Sequence, residues 1–114
     1  MRGGAEPNAR NSQGRTALFS AAAPSLGDSD DAVVRRLIDA GADPDARDLA
    51  GRTPLIAALA QDVVNPSVVE ALLDGGADAS LSDRNGLTPW DLAERHAALR
   101  ETELYWRLNN ARFD

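Results

Sequence analysis

The only histidine of the chain, His96, stands two residues after Glu94 and five after Asp91. Carboxylate beside imidazole is the vocabulary of general acid–base catalysis. The chain has no cysteine, and no serine stands in a recognisable nucleophile setting. His96 is therefore expected to be a solvated surface residue, and no enzyme activity is expected. A second cluster, Asp28-Ser29-Asp30-Asp31, places three carboxylates together. It lacks the glycine and the distal glutamate of the known calcium loop, so no metal is expected there. The carboxylates suit the positive start of a following helix that carries Val33 to Ile38. A further reading makes Asp28, Asp30 and Asp31 a docking loop for a basic partner. No cofactor is expected.

Composition sets the wider limits. The 114 residues carry a formal net charge of -6. Nucleic acid and anionic membranes reward clustered positive charge, so neither is expected as the main partner. The longest apolar run, Leu55 to Ala60, is far too short to cross a membrane. Residues Met1 to Pro7 offer no apolar stretch for a signal peptide, so a soluble, cytoplasmic protein is the default. All 12 basic residues are arginine, and alanine is abundant. That pairing accompanies GC-rich coding sequence and suggests a bacterial source.

The elements that must position any site come from an internal repeat. Gly4-Ala5-Glu6-Pro7-Asn8-Ala9-Arg10-Asn11 returns as Gly41-Ala42-Asp43-Pro44-Asp45-Ala46-Arg47-Asp48, then as Gly76-Ala77-Asp78-Ala79-Ser80-Leu81-Ser82-Asp83. Each copy leads to a second block: Gly14-Arg15-Thr16-Ala17-Leu18, Gly51-Arg52-Thr53-Pro54-Leu55 and Gly86-Leu87-Thr88-Pro89-Trp90. Threonine before proline caps and opens a helix. A short alanine-rich helix follows, and its small side chains let a neighbour approach closely. A second helix carries Val33, Val34, Leu37 and Ile38, matched by Val68, Val69, Leu72 and Leu73. That spacing makes one apolar helical face. Gly41 and Gly75-Gly76 end these helices. The polar stretch before each threonine reads as an extended hairpin tip.

Helix, turn, helix, Gly-Ala-Asp, hairpin, Gly-x-Thr-Pro-Leu resembles the ankyrin repeat over nearly the whole chain. The resemblance implies an all-α solenoid of stacked helix-turn-helix units with short β-hairpin-like loops. The units are expected at residues 9–44, 45–79 and 80–114, the last with a C-terminal cap. Residues 1–8 align with the end of a preceding unit, so the chain reads as a piece of a longer array, or something else covers its first face. The copies exceed the family period of about 33 residues. The extra residues fall at Pro24 to Asp31 and at Asp62 to Pro66. The family's histidine after Thr-Pro-Leu is replaced by Phe19, Ile56 and Asp91, which removes its hydrogen-bond network.

The resemblance also implies a protein partner, bound through the hairpin tips and the concave helix face. By position the contact residues are Ser12, Gln13, Arg15, Leu49, Ala50, Arg52, Arg84, Asn85 and Leu87. Leu49 and Leu87 are expected to be exposed. One version is an inhibitor or immunity-type protein whose acidic charge suits a basic target. Alternatives are a regulatory or targeting segment of a larger enzyme or effector, and a unit that self-assembles through its ends. In the last unit, Leu104, Leu108 and Ala111 share one helical face, the expected core side. Trp106 and Phe113 fall roughly opposite. They form either a lid over the end of the stack or an exposed apolar edge that docks a partner or a second copy.

Overall fold

A computed structural model describes residues 8–22, 31–61, 64–96, 99 and 102–111. Six helices are present among them: α1 (Ala17–Ala22), α2 (Asp31–Asp39), α3 (Pro54–Leu59), α4 (Pro66–Asp74), α5 (Pro89–Ala93) and α6 (Glu103–Ala111). Each short first helix packs on its second, as α1 on α2, α3 on α4 and α5 on α6. The first helices stack in the order α1, α3, α5, and the second helices in the order α2, α4, α6. The architecture is an all-helical solenoid. No β-strand occurs among the described residues, so the loops are hairpins in outline only.

Local chemistry explains where the helices start. Thr53 accepts the Ile56 N–H at 3.3 Å, and Asn65 accepts the Ser67 N–H at 3.0 Å. Both are followed by proline, whose missing donor costs nothing at a helix start. Thr88 goes further. Its hydroxyl accepts the Asp91 N–H, while the Asp91 carboxylate accepts the Thr88 N–H at 3.0 Å, a reciprocal capping box. Thr16, followed by alanine and not proline, makes no such cap. Its buried hydroxyl finds no hydrogen-bond partner among the described residues. The N–H it should capture, that of Phe19, is taken by Thr16's own carbonyl at 3.1 Å.

The core runs through the stack as one cluster, from Leu18 and Val34 through Leu55, Ile56, Val69 and Leu72 to Leu104 and Leu108. Burying each such side chain contributes about 1.5–3 kcal/mol. The missing family histidines are accounted for. Phe19 and Ile56 are fully buried, and Phe19 packs against Ala46 and Ala57 of the next unit. Alanine at those two places leaves the room that a phenyl ring needs. Between the second helices, Gly75 lies against Ile38, where a Cβ would collide.

The apolar stripe differs between copies. Val68 is fully buried, whereas its equivalent Val33 is 39% exposed. The reason is placement: α4 has α2 packed against it on one side and α6 on the other. α2 stands first in the row among the described helices.

Asp74 joins all three second helices. Its carboxylate accepts from Arg35 at 3.4 Å and from Arg107 at 3.1 Å. The Arg107 hydrogen bond chiefly holds its carboxyl below the usual carboxylate range. Stability from a depressed carboxyl is present above the ordinary value and is lost as pH falls through the folded one. Asp74→Asn is therefore expected to lower the melting temperature at neutral pH by on the order of 2 °C. The difference should vanish in acid and shrink in high salt. A difference that persists in acid would show that the carboxylate charge is not its source.

Candidate functional site

Three loops align along one edge of the stack, each built by one scheme. Asn11, Asp48 and Asp83 head the turns. The side chain of each accepts two backbone N–H groups across its own tip, from Gln13 and Arg15, from Ala50 and Arg52, and from Asn85 and Leu87. Each turn is closed by a backbone bond, such as Asp48 N–H to the Arg52 carbonyl at 3.0 Å. Neighbouring tips are then tied laterally. Leu49 N–H donates to the Gln13 carbonyl at 3.0 Å, and Arg84 N–H to the Ala50 carbonyl at 3.3 Å.

Side chains reinforce the row. Arg15 reaches the buried carboxylate of Asp48 at 3.2 Å, and Arg52 reaches that of Asp83 at 4.0 Å. Lower in the loops, Asn8 accepts the Asp43 N–H at 2.6 Å, and Asp45 accepts the Asp78 N–H at 2.7 Å. Every contact of this kind joins one loop to the next. The three tips therefore form one fixed surface.

Gly51 shows how closely the tips approach. Its φ is +75°, and a Cβ there would stand 2.9 Å from Arg84 Cγ and 3.1 Å from Arg84 N. Gly86 has a similar φ of +80° but open space around it. Gly86→Ala is expected to cost about 1–2 kcal/mol for the left-handed backbone alone. Gly51→Ala should cost more, because the Arg84 tip must also move. Denaturant unfolding of the two variants checks this, and equal costs would count against the close approach.

The nine expected contact residues divide into three groups. Ser12, Gln13, Ala50, Arg84 and Asn85 are exposed, and Leu49 is 64% exposed. Arg15 and Arg52 are half-buried by their carboxylate partners. Leu87 is a correction. Instead of standing in water it packs partly buried against the core, having no charge to keep hydrated. The first helices contribute less than expected. α3 is buried throughout, so their exposed side chains are Ala17 and Ser20 of α1 and Asp91 of α5. Two residues were missed: Arg10 and Arg47 are exposed beside the tips, and the Arg10 guanidinium donates to the Arg47 carbonyl. Their equivalent places in two copies were the available signal.

The other candidates fall elsewhere. His96 is not simply solvated. It is half-buried, and its Nε2–H donates to the Leu59 carbonyl at 2.8 Å. A carbonyl only accepts, which fixes the donor. His96 thus caps the end of α3 from the following unit. It also lines an open cleft of about 190 Å³ with Gln61 and Arg95. The Asp91 carboxylate is held in the capping box. Asp31 begins α2, as expected, whereas Asp28, Asp30 and Phe113 lie outside the described residues. Trp106 is 58% exposed and is no lid, because it faces away from the buried Leu104 and Leu108. Among the described residues no three His, Cys, Asp or Glu side chains gather to hold a metal ion. No described helix is long and apolar enough to cross a membrane.

Paired helices in a row, with loop tips locked edge to edge, define a repeat scaffold that displays side chains on a fixed surface. The chain belongs to the ankyrin-repeat family: the family model described as ankyrin repeats (3 copies) matches residues 1–83 and 22–102. No curated protein matches it. Ankyrin repeats are in general protein–protein interaction modules, and proteins built of them are typically binding modules rather than enzymes.

Proposed function

We propose that this chain is a non-catalytic recognition module that binds a protein partner through its row of hairpin tips. One observation carries the reading: the backbone bonds that lock the tips together leave Leu49 and its neighbours outward. A preformed surface of this kind binds without ordering its own backbone. Six exposed tip residues, Ser12, Gln13, Leu49, Ala50, Arg84 and Asn85, form the contact set, with Arg15 and Arg52 at its margin. An inhibitor or immunity-type role in the cytoplasm fits so rigid a block. The test is affinity capture with the chain from its source cells, followed by titration of the captured partner with Leu49→Ser. Weaker binding at unchanged melting temperature supports the reading. A partner that binds Leu49→Ser equally well sinks it.

A second reading is self-assembly through the ends. Val33 and Trp106 are exposed at opposite ends of the row of second helices. The same Val33 face would be closed by an adjoining unit if the chain serves as a regulatory or targeting segment of a larger protein. Trp106→Ser is expected to change the melting temperature by less than about 2 °C, since surface substitutions are nearly neutral. Light scattering over a concentration range decides on assembly. A wild type that stays monomeric at high concentration excludes it.

A further inference from the structure

The tips, residues 11–15, 48–52 and 83–87, carry three arginines over two aspartates, a positive balance in an acidic chain. Of the 12 arginines, five lie on the hairpin loops: Arg10, Arg15, Arg47, Arg52 and Arg84. The acids that head the turns, Asp48 and Asp83, have side chains only 1% and 2% exposed. Their oxygens are occupied by tip N–H groups and by Arg15 and Arg52. A partner therefore meets the guanidinium groups and not these carboxylates. Arg10, Arg47 and Arg84 are exposed, and none forms an ion pair among the described residues. Asp43, Asp45 and Asp78 sit lower in the loops, where each accepts one backbone N–H and Asp43 and Asp78 stay exposed. Leu49, the most exposed large apolar side chain among the described residues, stands in the central tip of the row.

We infer that the tip surface takes an acidic segment of a protein partner, with carboxylates on the guanidinium row and an apolar side chain on Leu49. The inference rests on the tips being the recognition surface and adds the chemistry of what they recognise. Guanidinium forks match carboxylates in paired hydrogen bonds. A phosphate backbone would also answer to arginine, but it offers nothing to Leu49, and the net charge of -6 repels a long polyanion. The chain's overall charge attracts a basic body at a distance. The local surface decides what docks.

The test uses labelled peptides of alternating glutamate and leucine, lysine and leucine, or glutamine and leucine, with a single-stranded oligonucleotide as a fourth probe. Fluorescence polarisation of the full chain should show binding of the glutamate peptide, weakened at high salt. Arg10→Ser, Arg47→Ser and Arg84→Ser together should weaken it at least about tenfold. Arg36→Ser, on an exposed face of α2, should not. Arg47→Glu with Arg84→Glu should transfer preference to the lysine peptide, a gain that a misfolded chain cannot produce. Failure to bind the glutamate peptide overturns the inference, as does equal binding of the lysine or glutamine peptide, or tighter binding of the oligonucleotide. Leu49→Ser separates the two readings. If the lysine peptide binds and Leu49→Ser abolishes it, the charge inference fails while the tip surface stands. If binding ignores both the arginines and Leu49, both fail.

Discussion

Phe19→Ala is expected to uncouple the first helix pair from the rest of the stack, at a cost of about 3–5 kcal/mol. The ring is fully buried and bridges α1 to Ala46 and Ala57. It stands where the family uses a histidine, so at this position an apolar contact between the two units takes the place of a polar bond. Truncation removes the transfer energy of the ring and leaves a cavity that two alanines cannot fill. In a linear stack the damage is local. Hydrogen exchange should show lost protection in α1 and α2 while α3 to α6 keep theirs. A loss below about 1 kcal/mol, or uniform loss along the chain, would refute this account.

The second large effect concerns Asp48. Its side chain satisfies the N–H groups of Ala50 and Arg52 and receives Arg15 from the preceding tip. Asp48→Ala strands these donors and is expected to cost about 2–3 kcal/mol. Asp48→Asn is the informative partner. Asn11 already performs the same turn in the first loop, accepting from Gln13 and Arg15. Asparagine should therefore keep the turn and lose only the charge for Arg15, a cost of about 1 kcal/mol or less. Calorimetry of the two variants reads the difference. If asparagine is as damaging as alanine, the ion pair and not the turn holds the loop.

Much of this was legible in the residues because a repeat states its design three times. Thr53 and Thr88 announced their helices, and the polar stretch before each threonine announced the tips. What stayed hidden depended on neighbours in space. Thr16 has the right type, but its target N–H is claimed by a tighter turn. Leu87 aligns with two arginines, yet an apolar side chain folds inward where a guanidinium stretches sideways. His96 looked surface-bound because nothing in its own segment points to Leu59, 37 residues earlier. Charge was the least legible. Summing it over the chain gave an acidic protein, while burial of Asp48 and Asp83 leaves the exposed charge of the tips to the arginines.

The bonds that join tip to tip run from main chain to main chain, Leu49 to Gln13 and Arg84 to Ala50. Proline apart, which would remove the donor at Leu49 or Arg84, they make no demand on which side chains those residues carry. A mutation at an outward tip position thus alters the surface on offer without altering what holds it together. If the tips are the recognition surface, a lineage could exchange one target for another through viable single steps. The glycines and buried aspartates beneath them have no such freedom.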